Sequence, residues 1–190
     1  MFYMIVRGLF RIIFKIIFPL ELTGVDNIPA NGPAIICSNH ISWWDPPLMA
    51  AMNFRPSTFM AKEELFKNYI SRKVIYALGG FPVKRGVPDR KAIKTALENL
   101  NQGKVLTLFP EGTRSKTGQL LNPLPGAGYI ALKSKAPIIP VAIKGPYKVF
   151  RKVQVKIGPP IYADDVKIEG KGKAIEYVSR FLMQNIKDML

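Results

Sequence analysis

A chain of 190 residues that is 48% hydrophobic can bury the core of one domain and is too apolar to be disordered. Its formal net charge of +15, from 28 Lys and Arg against 13 Asp and Glu, points to anionic partners: nucleic acid, a phospholipid surface or phosphorylated small molecules. One cysteine and one histidine exclude an internal disulfide and a zinc centre of the usual N/S type, and a lone thiol fits a reducing compartment.

Residues 1–20 are dominated by Phe, Ile, Leu, Val and Met, interrupted by Arg7, Arg11 and Lys15 at steps of four. On a helix such steps drift by about 40°, so the cations form one stripe beside a wide apolar face. Spanning a bilayer would place three central cations at a cost of roughly 8 to 10 kcal/mol, which the apolar residues barely offset. Lying flat avoids that cost, with Phe10, Ile13, Phe14 and Ile17 expected to dip into the acyl region. A core helix is the alternative. A signal peptide fits less well, because charges are scattered through the apolar stretch and no small-residue cleavage site follows. The expected division is therefore an amphipathic membrane-interface helix over 1–20 and a single domain over 21–190.

Residues 22–33 carry turn formers and lead into Ala34-Ile35-Ile36-Cys37, a short apolar run that reads as a buried strand. His40, the only histidine, lies at the C-terminal end of that strand, so a step needing an unperturbed imidazole base at neutral pH runs through it. Asp45 precedes Pro46-Pro47, a helix-start signature, which makes 39–45 the turn between strand and helix. In open α/β sheets that crevice binds ligands. Two readings of His40-x4-Asp45 stand on spacing alone. Asp45 either folds back to fix the imidazole tautomer and leave the other nitrogen as a base, or it caps the helix beside a satisfied buried histidine.

Further along, strands are expected at 57–61, 81–86, 104–109, 137–143 and 153–157, and helices at 62–78, 89–102, 126–134 and 175–189. Alternating strands and helices imply βαβ units, an α/β fold with a largely parallel central sheet flanked by helices. Lys84 and Arg85 stand where one strand ends. Pro110 to Ser115 follows another, bringing Glu111 and Arg114 to its carboxyl end with Gly112 permitting close approach. Arginine offers a planar fork to phosphate, whereas a Glu111–Arg114 surface ion pair is the plainer alternative. Neither a G-x-S-x-G elbow nor a G-x4-G-K-[ST] phosphate loop is present, and Gly126-Ala127-Gly128 lacks the third glycine of a dinucleotide fingerprint.

Four blocks occur together: His40-x4-Asp45; Phe81-Pro82-Val83-Lys84-Arg85-Gly86; Phe109-Pro110-Glu111-Gly112-Thr113-Arg114-Ser115; and Ala136-Pro137-Ile138-Ile139-Pro140-Val141. In order and spacing they resemble those of the glycerolipid acyltransferase superfamily, over about residues 22–160. The resemblance implies transfer of an acyl group from an acyl thioester to the sn-2 hydroxyl of 1-acyl-sn-glycerol 3-phosphate, giving phosphatidic acid. By the same resemblance His40 is the general base and Asp45 orients it, while Lys84, Arg85, Glu111, Gly112, Thr113 and Arg114 bind the glycerol phosphate. It further implies no cofactor or metal, acyl-CoA or acyl carrier protein as co-substrate, lysophosphatidate as acceptor, and a peripheral or monotopic place on the cytoplasmic face of the cell membrane. Glycerol 3-phosphate or another lysophospholipid is an alternative acceptor. A non-catalytic lipid-binding module is a reading from a different class, and a nucleic-acid binder would explain the charge but not the apolar N-terminal helix.

Overall fold

Strands that are apolar on both faces are stable only inside a sheet covered on both sides. Ala34–Ser38 and Ile138–Lys144 are such strands, and they lie side by side in the middle of the fold. The computed structural model of the protein describes residues 2–52 and 55–190. Its helices are α1 (Phe2–Ile16), α2 (Asp45–Met52), α3 (Tyr69–Ala77), α4 (Arg90–Asn101), α5 (Gly126–Ser134) and α6 (Lys171–Met189). Its strands are β1 (Leu20–Thr23), β2 (Ala34–Ser38), β3 (Ser57–Lys62), β4 (Gly80–Val83), β5 (Val105–Leu108), β6 (Ile138–Lys144) and β7 (Val153–Ile157).

The seven strands form one sheet in the order β1-β7-β6-β2-β5-β3-β4. Strands β2 to β6 run parallel, β7 is antiparallel to β6, and β1 is parallel to β7. The α/β fold with a largely parallel sheet is thus as the sequence implies. Alternation along β2 sends Ile35 and Cys37 into the apolar layer beneath α4, α5 and α6, and Ala34 and Ile36 into the layer beneath α1 and α2. The loops after β2, β5 and β6 consequently converge at one end of the sheet.

Four elements differ from the sequence reading. Residues 20–23, expected before or within a turn-rich stretch, form β1, because Leu20 to Thr23 pair in register with Val153 to Lys156 at the sheet edge. The expected helix over 62–78 is broken: Lys62 ends β3, Glu63–Phe66 is a 3-10 turn, and Asn68 starts α3 by accepting from Ile70 N and Ser71 N. The strand expected at 81–86 stops at Val83, where Lys84 N donates to Asp89 Oδ2. The closing helix begins at Lys171 rather than at 175.

The largest correction concerns α1. Phe14, expected in a membrane, is 0% exposed and packs with Phe18 against Trp44, at ring-centroid distances of 6.0 and 5.2 Å. Phe10 and Ile17 pack against the same core, and Arg11 Nε donates to Ala51 O of α2 at 2.8 Å. Arg7 is buried as well. The outward face is instead Ile5, Leu9, Ile12 and Ile16, between 55% and 62% exposed. Steps of four, three and four hold these four within about 60° of one another, about 180° from Phe14. The helix is apolar on two opposite sides, and the side facing the protein is the one the larger aromatics occupy. Met1, part of the expected segment, lies outside the described residues. Among the described residues no helix is long and apolar enough to cross a membrane.

Candidate active site

Asn39 follows β2 and prolongs its ladder with a side chain. Its amide donates to Ile143 O at 2.9 Å, and its carbonyl accepts from Ile143 N at 2.8 Å. This fixes the direction in which the chain leaves the strand, and His40 is the next residue. The backbone of His40 is then held on both sides by the loop after β5: its N–H donates to Glu111 Oε1 and its carbonyl accepts from Ser115 N, each at 2.8 Å. Phe109, at the end of β5, stacks on the imidazole with ring centroids 4.2 Å apart.

Asp45 folds back across the turn. Its Oδ2 accepts from His40 Nδ1 and from the backbone N–H groups of Ile41 and Ser42, all at 2.7 Å. The carboxylate is fully buried, so these bonds replace the water it has lost. In the turn that leads into α2, Ser42 Oγ accepts from Trp44 N at 3.2 Å. Of the two readings of His40-x4-Asp45, the geometry realises the oriented pair. Because an ionised carboxylate only accepts, Nδ1 carries the proton and Nε2 is left as the basic nitrogen. Among the described residues nothing hydrogen-bonds Nε2.

The fourth acceptor site of Asp45 holds a residue that sequence reasoning missed. Tyr147, in the loop after β6, donates its hydroxyl to Asp45 Oδ1 at 2.6 Å. Burial, and the neighbouring Asp45 carboxylate, push the phenol well above its ordinary range, so it stays a donor. Its ring meets Phe18 edge-on at 5.7 Å, which joins the end of α1 to the pair. A separation of 102 residues hides this contact from any spacing argument.

The third block is placed differently from a simple binding loop. Glu111 is buried, and its two oxygens accept from His40 N and Leu121 N. Desolvation raises its carboxyl above the usual range, against the lowering effect of those two bonds. It makes no ion pair with Arg114, so the plainer alternative is not realised. Gly112 sits at φ +67° in the tight turn closed by its N–H to Phe109 O. A side chain there would be strained and would meet Leu124. Thr113 is exposed. The Arg114 guanidinium lies over the ring of Trp43 at 4.3 Å, and Trp43 is 74% exposed. Lys84 and Arg85 are exposed at the end of β4, separated from β2 by β5 and β3, a distance of about 14 Å between strand axes. The structure therefore brings His40, Asp45, Glu111 and Arg114 together at one sheet end, with Lys84 and Arg85 at its far side. Cys37 is buried and its thiol is pushed upward by desolvation, which keeps it protonated and a poor nucleophile.

Comparisons with known proteins point to one family. The family model described as Acyltransferase matches residues 19–144. A 1-acyl-sn-glycerol-3-phosphate acyltransferase of Bacillus subtilis is 31% identical over 86% of this chain and 84% of its own. One of Streptococcus pneumoniae is 34% identical over 88% of this chain and 65% of its own. Among solved structures, the 1-acyl-sn-glycerophosphate (LPA) acyltransferase of Thermotoga maritima superposes with a TM-score of 0.78 at 27% identity, covering 98% of this chain and 79% of that one.

Proposed function

This chain belongs to the acyltransferase family, and we infer that it transfers an acyl group from a thioester to the sn-2 hydroxyl of 1-acyl-sn-glycerol 3-phosphate, making phosphatidic acid. The observation that carries this reading is the oriented base: an imidazole with Nδ1 tied to a buried Asp45. Nε2 of His40 takes the proton from the acceptor hydroxyl as its oxygen attacks the thioester carbonyl. Asp45 stabilises the imidazolium that forms, and the thiol leaves with the proton returned. The reaction needs no covalent intermediate on the enzyme.

Arg114 is our first candidate for the acceptor phosphate, because β5 neighbours β2 and the guanidinium, stacked on Trp43, keeps its edges for a bidentate partner. Lys84 and Arg85 extend the positive rim on the far side. Glu111 acts on substrate only indirectly, by holding the base's backbone. Gly112 allows the turn that makes this possible.

The same reading includes attachment to a membrane surface on its cytoplasmic side. Ile5, Leu9, Ile12 and Ile16 enter the acyl boundary, while the opposite side of α1 stays docked on the protein. The free cysteine fits that compartment.

Purified protein incubated with lysophosphatidate in mixed micelles, with either acyl-CoA or acyl carrier protein thioester, tests the reading by mass spectrometry of phosphatidate. Formation of phosphatidate from either donor supports it and identifies the donor. Acylation of glycerol 3-phosphate or another lysolipid in place of lysophosphatidate would overturn the acceptor, and silence on every acceptor would overturn the catalytic reading.

A further inference from the structure

The side of the sheet that α3 covers follows from its anchor. Phe59 of β3 pairs with Thr107 on one side and Gly80 on the other. A side chain added at Gly80 would meet the Ile75 side chain of α3 and the Phe59 ring. Thr107 pairs with Ile36, whose side chain belongs to the layer beneath α1 and α2. So α3 and α1 cover the same face of the sheet. On that face α1 reaches the start of β3, where the hydroxyl of Tyr3 accepts from Ser57 N at 3.3 Å.

No residue of α3 is buried. Its side away from Ile75 carries Tyr69 and Lys73, flanked by Ile70 and Val74, and Ile70 is 72% exposed. The Lys73 ammonium lies 4.5 Å from the centre of the Tyr69 ring, and the Arg72 guanidinium 5.5 Å. The nine residues contain no acid. Exposed tyrosine and aliphatic side chains interleaved with long cations are the composition of a segment lying at the level of lipid headgroups, where the stems are apolar and the tips are wet.

We propose that α3 is a second contact with an anionic bilayer, on the same side of the molecule as α1. Ile70 and Val74 enter the interface, and Arg72 and Lys73 meet lipid phosphates. This rests on the reading that the outward stripe of α1 binds the membrane. One helix lying flat leaves the protein free to rock about that helix axis. A second contact over β3 and β4 removes that freedom and gives the site one orientation toward its lipid substrate.

The test uses the buried, protonated Cys37, which leaves an introduced thiol as the accessible one. The full chain carrying Ile70→Cys, labelled with an environment-sensitive fluorophore, is mixed with vesicles of equal parts phosphatidylglycerol and phosphatidylcholine. The same label at Lys94→Cys, on the opposite face of the sheet, is the control. The expected result is a blue shift at position 70 and none at 94. The double change Ile70→Ser with Val74→Ser should weaken vesicle binding about tenfold, with acylation of a water-soluble, short-chain lysophosphatidate unchanged. If wild type binds, Leu9→Ser with Ile12→Ser abolishes binding, and the position-70 label and serine variant behave as though no lipid touched α3, the α3 proposal is overturned while the α1 reading stands. Failure of wild type to bind at all would overturn both.

Discussion

Tyr147 and His40 grip the two oxygens of one carboxylate: the phenol donates to Asp45 Oδ1 at 2.6 Å and the imidazole Nδ1 shares Oδ2 at 2.7 Å. The base is therefore oriented by a group that is itself oriented. Tyr147→Phe removes the outer bond and leaves a buried oxygen short of a partner, at a cost to stability of about 1 to 3 kcal/mol. The carboxylate then turns more freely and orients the imidazole less firmly, so kcat should fall about tenfold with the KM for lysophosphatidate nearly unchanged. An unchanged kcat in a folded variant would show that Tyr147 only packs.

Glu111→Gln separates a role in holding the base from a role in binding substrate. His40 N and Leu121 N meet different oxygens of Glu111, and in the amide one of these becomes a donor NH2, so one N–H loses its acceptor. The expected outcome is a fall in kcat with the KM for lysophosphatidate nearly unchanged, and a rise in KM at constant kcat would contradict it.

The same residue predicts a pH dependence of stability. Desolvation holds the Glu111 carboxyl above its ordinary value of 4.5, so between that value and the raised one the folded protein binds more protons than the unfolded chain. Its contribution is complete below the ordinary value and is lost as pH rises through the raised one. Denaturant unfolding of wild type should therefore show a downward component over that window, absent in Glu111→Gln. Identical slopes in the two proteins would refute it.

Arg114→Ala should raise the KM for the phosphorylated acceptor about tenfold to a hundredfold with a smaller effect on kcat, and Arg114→Lys should recover only part, since the planar fork is lost. Arg85→Ala should have the weaker effect, because β4 is three strands from β2. The reverse order in a kinetic comparison would assign the phosphate to the far rim.

For α1, Phe14→Ala should destabilise the protein by about 3 to 5 kcal/mol, as expected for an aromatic side chain removed from a core, whereas Leu9→Ser should leave thermal unfolding almost unmoved. Equal, small effects would mean that α1 is not part of the folded domain.

What could be read from residue order was whatever lies close in sequence. Asp45 is five residues from His40, and a turn between a buried strand and a Pro-initiated helix can bring the two together, so the pair was visible as one of two readings. Tyr147 was not visible, because its place beside Asp45 depends on β6 being the neighbour of β2. Asn39 was missed for a related reason: its partner, Ile143, lies in that same neighbouring strand. In α1 the residue pattern specifies the helix but not which face docks. A helix apolar on two opposite sides gives no sign of which side docks, and the burial of Phe14 against Trp44 was settled by tertiary packing. The edge strand β1 escaped notice because it is four residues long, half polar and mostly exposed, with its order supplied by β7.

Catalysis turns on Nε2 of His40 removing the acceptor proton. The most direct measurement is acyl transfer from thioester to lysophosphatidate by His40→Ala, beside a denaturant melt of the same preparation. The expected result is a cooperative unfolding transition like that of wild type and turnover reduced by at least about a thousandfold. A folded variant that retains near-normal turnover would contradict it.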